Sequence, residues 1–534
     1  MHSTPSTYDF IVVGGGPAGC ALAASLAHSA RRPRVLLLEA GGRNDDRLSW
    51  VYGKRWTTFM QGHMNWGYKT TPQEHCNGRQ IDYSRGKGLG GSSAINFGVF
   101  TVGARDDYDQ WATQVEDNTF GWEKMQERLK ALENFDPTIQ VPEHRKYASI
   151  NSSDHGDKGL LHLSFANEWE KDLSPRTTAS DLLSGAPENL IVVTDSPVQR
   201  VVMKGKRAIG VEVNGQQYLA TREVVLSAGT LDTPKILMHT GIGPAKELQG
   251  FDIPVVHDLS AVGQGLRDHY LAFVILQRNP ETNERNALFQ DPAAMDAAKK
   301  LWEETGTGPW AQYGCQTASG WFKSDKVTSS AEFKALPESV QNFMNKETVP
   351  QYEIISHFPV HLLSPDPFPD YSYLCLPVFM MNAQSRGEVR LQSSNPNDPL
   401  LFDPRFLSHP FDRRASIEIF RYLLELTRHP AIAKDTVSTL FGPSSDSDED
   451  ILEFWRNNLS SSWHMTGTVK MGQPDEIDTA VDHRFRVLGI ENLRVADMSV
   501  VPVLTNNHTQ ATAYLTGATC AEVLIREYDL DGSS

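Results

Sequence analysis

The start of the chain alternates between short apolar runs and one Ala-rich segment. An apolar run at 8–13 is followed by a glycine turn, a segment of helical composition at 17–28 and a second apolar run at 34–39. This order predicts a strand, a helix and a strand. A helical connection of this kind joins strands that run parallel in a sheet covered on both faces. The N-terminal part is therefore predicted to be α/β.

Later segments are predicted to return to this first sheet. A strand at 493–496 and a helix at 509–528 resume the alternation of strand and helix near the end of the chain. Other short β-rich runs separated by polar turns lie at 189–193, 198–204, 208–213 and 223–227.

The middle of the chain differs in composition from the N-terminal part. Between about 273 and 455 it is rich in Pro and loops, with isolated strands at 352–358 and 371–380. No repeat or long linker separates this part from the rest, so two interwoven domains are expected. The first comprises residues 1–148, 186–272 and 476–534, and the second, substrate-facing domain comprises residues 149–185 and 273–475.

The glycine turn after the first strand has the spacing of a dinucleotide loop. Gly14, Gly16 and Gly19 form GxGxxG at the mouth of the predicted helix, where backbone amides can approach a pyrophosphate. Glu39, at the end of the second strand, is placed to accept hydrogen bonds from ribose hydroxyls. A glycine turn without a ligand is the alternative interpretation. The loop alone does not decide whether the dinucleotide is NAD or FAD. The residues predicted to contact the dinucleotide here are Gly14, Gly16, Pro17, Ala18, Gly19, Glu39 and Ala40.

Charge and cysteine content narrow the possible partners. The 534-residue chain has a formal net charge of −16, which disfavours nucleic acid and anionic lipid because both are bound by clustered Lys and Arg. Its five cysteines are odd in number and widely separated, unlike a metal site or a disulfide framework. We expect reduced thiols and no metal.

The apolar stretch 10–27 admits a signal-peptide or transmembrane interpretation. Asp9 precedes it and no cationic segment does, so the glycine loop is the better interpretation. The final residues, Asp-Gly-Ser-Ser, are not a peroxisomal signal. The expected location is therefore the cytoplasm, with no membrane partner.

A second glycine-rich motif carries a family resemblance. Residues 86–96, Gly-Lys-Gly-Leu-Gly-Gly-Ser-Ser-Ala-Ile-Asn, continue through Phe100, Gly103 and Asp109 with the spacing of the first signature of the glucose-methanol-choline (GMC) oxidoreductases. Small residues here let the backbone pass close to a flat ring system. Residues 229–243 resemble the second signature, with Thr240 where the family prefers Ser, and residues 385–404 resemble its C-terminal region.

The resemblance covers nearly the whole chain and implies fold and cofactor. It implies a Rossmann-like FAD-binding domain interwoven with an α+β substrate-binding domain built on an antiparallel sheet. Ile95 stands where some relatives carry the histidine that bonds the flavin, so non-covalent FAD is expected. The further residues that the resemblance assigns to FAD are Gly86, Leu89, Gly90, Gly91, Ser92, Ser93, Asn96, Phe97, Gly98, Val198, Ala228, Asp497, Met498, His508, Thr509 and Gln510.

Two histidines match the active-site positions of the family. His464 and His508 lie in Ser-Trp-His-Met-Thr and Asn-Asn-His-Thr-Gln, and an imidazole can take a proton near neutral pH. We assign His464 as the leading general base and His508 as the substrate hydrogen-bond partner, although the two roles can be exchanged or shared.

The implied reaction is oxidation of a primary or secondary alcohol to a carbonyl, with O₂ or a quinone-like compound as electron acceptor. The histidine pair resembles that of family members that act on aryl or furanic alcohols, which favours an aromatic or metabolite-like alcohol over a sugar. The alternatives are a non-redox use of FAD, such as cyclisation, elimination or decarboxylation, and a flavin-bound scaffold without activity. Trp463, Phe358 and Tyr313 are candidate substrate-contacting residues, and the oligomeric state is left open.

Overall fold

The computed structural model describes residues 7–44, 62–137, 151–164, 178–282, 291–305, 318–356 and 372–532. Its α-helices are Pro17–His28, Arg105–Val115, Trp122–Leu132, Thr233–His239, Ala245–Gly250, Pro292–Thr305, Asp325–Thr328, Ala331–Lys334, Glu338–Asn345, Pro410–Thr427, Pro430–Ala433, Asp448–Asn458 and Gln510–Glu527. In the described part, no helix has both the length and the apolar character needed to cross a membrane.

The first sheet is mostly parallel and lies at the centre of the predicted nucleotide-binding region. Its strands are β1 (Thr7–Val13), β2 (Val35–Leu38), β5 (Leu190–Val193), β6 (Val198–Lys204), β7 (Arg207–Val213), β8 (Gln216–Leu226) and β20 (Leu493–Val495). The order is β5-β2-β1-β8-β7-β6, with β20 also paired to β8. β5, β2, β1, β8 and β20 run parallel, whereas β7 pairs antiparallel with β8 and β6 pairs antiparallel with β7. The predicted α/β fold is confirmed.

The second sheet is antiparallel, as the resemblance implied. Its strands are β12 (Tyr270–Arg278), β13 (Ser319–Phe322), β14 (Tyr352–Ile355), β15 (Ser372–Met380), β18 (Thr436–Phe441) and β19 (Ser460–Ser461). The order is β13-β14-β15-β12-β18, and β19 pairs with β12. Leu271 lies opposite Phe379, and Phe273 lies opposite Pro377. Because side chains alternate along a strand, these four share one face of the sheet.

Shorter strands complete the fold. β3 (Glu133–Asp136) pairs with β4 (Leu161–Ser164), β9 (Ile242–Gly243) pairs with β10 (His257–Asp258), and β11 (Gln264–Leu266), β16 (Gly387–Arg390) and β17 (Leu401–Asp403) form a third, small sheet. The strands of the two main sheets come from separate stretches of the chain, and the division into domains stays a prediction.

Most predicted boundaries differ from the structure by one or two residues, but β8 is much longer than expected. The apolar run predicted only 223–227, whereas the strand begins at Gln216. Its first half pairs antiparallel with β7 and is exposed or half-buried. Half-exposed strands lack the continuous apolar character by which buried parallel strands are found.

The helices Pro17–His28 and Gln510–Glu527 pack closely because small residues meet where they cross. A Cβ added at Gly517 would lie 2.0 Å from the carbonyl oxygen of Ala18. A Cβ at Gly19 would lie 1.9 Å from the carbonyl oxygen of Gly14. Neither glycine has a positive φ, so the requirement at both is space. The C-terminal helix thereby holds the N-terminal helix against the glycine turn.

We predict that Gly517→Ala destabilises the protein by roughly 1–3 kcal/mol, because the added methyl group pushes the two helices apart. Gly250→Ala is the matched control, since a Cβ at that helical glycine meets nothing within 4 Å. The measurement is the free energy of unfolding in urea. Equal stability of the two variants would contradict the proposed close packing.

Candidate active site

A cavity of about 510 Å³ connects the two main sheets. One end is formed by Val13, Leu38 and Ser227, at the carboxyl ends of β1, β2 and β8. Ligands of open α/β sheets bind at this edge. The other end is formed by the face of the antiparallel sheet that carries Leu271 and Phe379. The cavity therefore joins the predicted nucleotide site to the predicted substrate site.

Most of the residues predicted for the site line this cavity. They are Gly14, Gly16, Pro17, Ala18, Glu39, Ala40, Gly86, Gly91, Ser92, Ser93, Asn96, Phe97, Gly98, Val198, Ala228, Asp497, Met498, Thr509 and Gln510, together with His464 and His508. Gly19, Leu89 and Gly90 are not among the lining residues. Gly19 packs beneath the turn, and the main-chain N–H of Gly90 donates to the carbonyl of Gly15 from behind it (2.8 Å).

The glycine turn lines the cavity at the start of the helix Pro17–His28 and packs closely against neighbouring backbone. Gly14 has a φ of +105°, and a Cβ there would lie 2.4 Å from the carbonyl oxygen of Ser227. Gly16 faces Gly91, and a Cβ on Gly91 would lie 2.7 Å from the Cα of Gly16. Two bare stretches of backbone thus face each other beside a helix N-terminus. Such an arrangement favours an anionic group such as a pyrophosphate.

Glu39 joins three loops around this space. The main-chain N–H groups of Gly15 and Gly41 donate to its carboxylate (2.8 Å each), and that of Gly88 donates from the second glycine motif (3.0 Å). Burial raises the pKa of the Glu39 carboxyl, and these amides act in the opposite direction. The carboxylate organises the loops that form the cavity. Its contact with a ribose stays a prediction.

Asp497 also lines the cavity and, like Glu39, joins separate loops through its carboxylate. Its Oδ2 accepts hydrogen bonds from the N–H of Gly229 (2.9 Å) and the hydroxyl of Thr233 (2.5 Å), and its Oδ1 accepts from the N–H of Ser499 (2.7 Å). Asp497 thereby ties the turn after β20 to residues 229–233. Residues 496–509 separate β20 from the last helix, which differs from the predicted boundaries by one residue at each end.

His464 and His508 meet at the second end of the cavity. Their ring centroids are 5.0 Å apart and their planes are nearly perpendicular, at 82°. His464 follows β19 and is buried, whereas His508 lies just before the helix Gln510–Glu527. The structure thus brings together two side chains that are 44 positions apart, 508 − 464, in the sequence.

The segment that carries His464 is held by a buried carboxylate. Oδ1 of Asp268 accepts from the main-chain N–H of His464 (2.8 Å), and Oδ2 accepts from the hydroxyl of Ser461 (2.5 Å). Arg85 donates to the carbonyl of Trp463 (2.6 Å), which has a φ of +58°. A positive φ is unfavourable for Trp and persists only where neighbours determine it. These bonds fix the backbone from which His464 projects.

A second buried carboxylate holds the segment that carries His508. Asp107 accepts from the main-chain N–H and from the side-chain amide of Asn506 (2.6 Å each). The N–H of His508 donates to the hydroxyl of Thr101 (2.9 Å). Burial raises the pKa of Asp107 to about 7, although both Asn506 bonds lower it. Each histidine therefore stands on a loop anchored by one aspartate.

Each imidazole also has one polar side-chain partner. Nε2 of His508 lies 3.1 Å from Oε1 of Glu353, a wholly buried residue of β14. Nδ1 of His464 lies 3.1 Å from Nδ1 of His269, which is equally buried. Burial lowers the pKa of His464 well below its usual range, and His508 and His269 act in the same direction. The neutral ring is therefore favoured at neutral pH, and a neutral imidazole carries a lone pair on one of its two nitrogens.

Sequence reasoning did not identify four of these residues: Asp107, Asp268, His269 and Glu353. A signal existed for Glu353, because it is the one charged residue in the otherwise apolar strand Tyr352–Ile355. The others give no local signal, since their partners are far away in the sequence. Of the three candidate substrate contacts, Trp463 lines the cavity, and Phe358 and Tyr313 lie outside the described residues.

Comparison with known proteins places these features in context. Residues 8–174 and 147–271 match the N-terminal model of GMC oxidoreductases, and residues 383–517 match the C-terminal model. The chain is 30% identical to the glucose methanol choline oxidoreductase atC of Aspergillus terreus, over 97% of this chain and 93% of that protein. It is 29% identical to an alcohol dehydrogenase [acceptor] of Pseudomonas putida, over 98% and 96%. A solved structure of Aspergillus oryzae RIB40 formate oxidase superimposes with a TM-score of 0.87 at 24% identity, covering 99% of this chain and 100% of that one.

Asp268 predicts a pH-dependent contribution to stability. Burial raises its pKa from 3.8 to about 7, so the folded state favours the protonated carboxyl and loses stability as the pH rises towards and through 7. We expect wild type to lose about 2 kcal/mol relative to Asp268→Asn between about pH 5 and about pH 8. Urea unfolding measures this difference, with the exposed Asp475→Asn as control. A constant difference across the pH range would contradict it.

Proposed function

The chain belongs to the GMC oxidoreductase family, and from that premise we propose that it is an FAD-dependent oxidoreductase that oxidises the CH–OH group of a primary or secondary alcohol to a carbonyl. One observation carries the proposal. A single cavity has the glycine turn at one end and two imidazoles 5.0 Å apart at the other. The relatives named above are an oxidoreductase and a dehydrogenase, which does not favour the non-redox alternative.

The residues around the first end of the cavity fit FAD. Gly14, Gly16 and Gly91 line the cavity with backbone and no side chain, which suits a pyrophosphate, and Glu39 lines the same cavity, where a ribose would lie. Bound FAD supplies an acceptor for the hydride that an alcohol carbon releases. FAD modification is described for the formate oxidase of Aspergillus oryzae. Here Ile95 lines the cavity and offers no nucleophile, which supports non-covalent binding.

The chain's own residues can accept the proton that the alcohol hydroxyl loses. We assign His464 as the base: the hydroxyl O–H bond breaks, and the proton passes to the imidazole nitrogen that does not face His269. His508 donates a hydrogen bond to the substrate oxygen, and Glu353 orients the His508 ring. The buried ring of Phe379, whose centroid lies 5.8 Å from that of His508, helps to exclude water there.

The substrate end of the cavity supports an aromatic or similarly apolar alcohol. Leu271, Phe273 and Phe379 present one apolar face of the antiparallel sheet to the cavity. Trp463 and Phe97 also line the cavity and lie against each other, with ring centroids 6.0 Å apart. Flat aromatic rings pack well against such apolar and aromatic surfaces. The electron acceptor that we propose is O₂ or a quinone-like compound.

The cofactor assignment predicts that Gly16→Ala weakens FAD binding at least about tenfold, because the methyl group occupies the space proposed for the pyrophosphate. The apoprotein should lose no more than about 1 kcal/mol, the scale of a changed helix cap, since the nearest atom to the new Cβ is 3.9 Å away. FAD titration of the apoprotein measures the affinity, with Gly250→Ala as control. Unchanged affinity would place the pyrophosphate elsewhere.

The reaction assignment predicts bleaching of the flavin band near about 450 nm when an apolar primary or secondary alcohol is added without air. Aryl, aliphatic and sugar alcohols should be compared, and admitting air then distinguishes O₂ from other acceptors. His464→Asn should reduce kcat by about 10²–10⁴, the usual contribution of a general base, while FAD stays bound. His239→Asn, outside the cavity, is the control. The reaction assignment fails if no alcohol reduces the bound flavin.

A further inference from the structure

His269 is close to the proposed site but does not line the cavity. It precedes β12 directly and is wholly buried. Its ring meets that of His464 edge to face, with centroids 5.3 Å apart and planes at 87°. The contact joins the two Nδ1 atoms at 3.1 Å. His269 therefore touches the base that we assign and not the space for the substrate.

A hydrogen bond between these two rings requires one donor and one acceptor. Burial, with a contribution from His508, lowers the pKa of His269 to about 3, and the pKa of His464 is also lowered. Both rings are therefore neutral at neutral pH, and each carries a single N–H. Either His464 donates from Nδ1 and keeps a lone pair on Nε2, or His269 donates and His464 carries its N–H on Nε2. Only the first arrangement leaves His464 able to accept a proton in the cavity.

The surroundings of His269 favour the first arrangement. The main chain of Met381 raises the pKa of His269, as a carbonyl oxygen facing a ring nitrogen does by favouring a proton on that nitrogen. The N–H of Met381 already donates to the carbonyl of Gln351 (3.1 Å), so the carbonyl of Met381 is the group concerned. Nδ1 of His269 faces His464, so the carbonyl acts on Nε2.

A proton on Nε2 of His269 is attracted by the Met381 carbonyl, whereas a lone pair there is repelled. Nε2 is buried and completes no hydrogen bond among the described residues, so its preference is set by this electrostatic contact. With the proton on Nε2, Nδ1 of His269 carries the lone pair. The N–H of the bond then belongs to His464.

We infer that His269 is a positioning residue that holds His464 as the Nδ1–H tautomer, with the lone pair of Nε2 directed to the cavity. The inference rests on the proposed function for its role in the reaction. When the substrate hydroxyl gives its proton to Nε2, the bond from Nδ1–H to His269 becomes charge-assisted and stronger. A neutral acceptor thus supports the protonated ring without raising the basicity of His464 as strongly as a carboxylate would.

The tautomer can be measured directly in the FAD-loaded protein labelled with [¹⁵N]histidine. Two-bond ¹H–¹⁵N spectra distinguish Nδ1–H from Nε2–H, and the His464 signals are assigned as those absent from His464→Asn. We expect a protonated Nδ1 and an unprotonated Nε2 on His464. Protonation on Nε2 in the unaltered protein would overturn the inference. This measurement does not depend on any substrate being turned over.

Variants of His269 test its role in turnover. His269→Leu removes the acceptor and should lower kcat about 10-fold to 10³-fold, shift the pH profile of kcat and change KM little. His269→Gln restores a carbonyl oxygen as acceptor and should recover part of kcat. His239→Leu is the matched control, because His239 is a partly buried histidine with a pKa lowered to about 4 and lies outside the cavity.

The outcomes separate the two proposals. If His269→Leu retains kcat and its pH profile, or if Gln recovers no more activity than Leu, His269 does not position the base. If the wild-type protein oxidises no alcohol but His464 is the Nδ1–H tautomer, the proposed reaction fails and the tautomer assignment stands. If His269→Leu does not fold, the Gln variant and the spectrum of the unaltered protein still test whether His269 positions His464.

Discussion

The site depends on buried irregular backbone whose N–H groups must find acceptors away from water. Both histidines lie on loops and not on strands or helices, in an interior where an unsatisfied amide is costly. Asp268 and Asp107 supply these acceptors, and each is almost completely buried. The polar groups that hold the loops also determine where the two imidazoles lie. The same hydrogen bonds therefore stabilise the loops and place the two histidines.

Buried carboxylates also hold the loops at the nucleotide end of the cavity. Glu39 and Asp497 each accept hydrogen bonds from loops that come from separate parts of the chain. The glycines add close backbone contacts, so that the N-terminal helix, the turn before it and the C-terminal helix form one packed unit. Four buried carboxylates thus organise the cavity along its length, and the apolar sheet face closes it.

Sequence reasoning identified the fold because its signals are local. The strands β1 and β6 and the helix Pro17–His28 follow from short patterns of apolar residues and glycines, and most residues of the glycine motifs line the cavity as expected. Sequence reasoning did not identify Asp268 or His269, because the role of a buried polar residue becomes apparent only from the group that it contacts. The partner His464 is 196 and 195 positions away. The first half of β8 was missed because it is exposed or half-buried, and its pairing with β7 does not need an apolar run.

The contacts that define the site also span most of the chain. Asp107 and Asn506 are separated by 399 positions, and Glu353 and His508 by 155. Contacts between such distant residues form late in folding, because the loops that they close are long. A chain growing from its N-terminus cannot bring the two histidines together until residue 508 has been synthesised and its loop has docked against Asp107 and Thr101. Any state in which either loop is unfolded lacks the assembled pair of histidines.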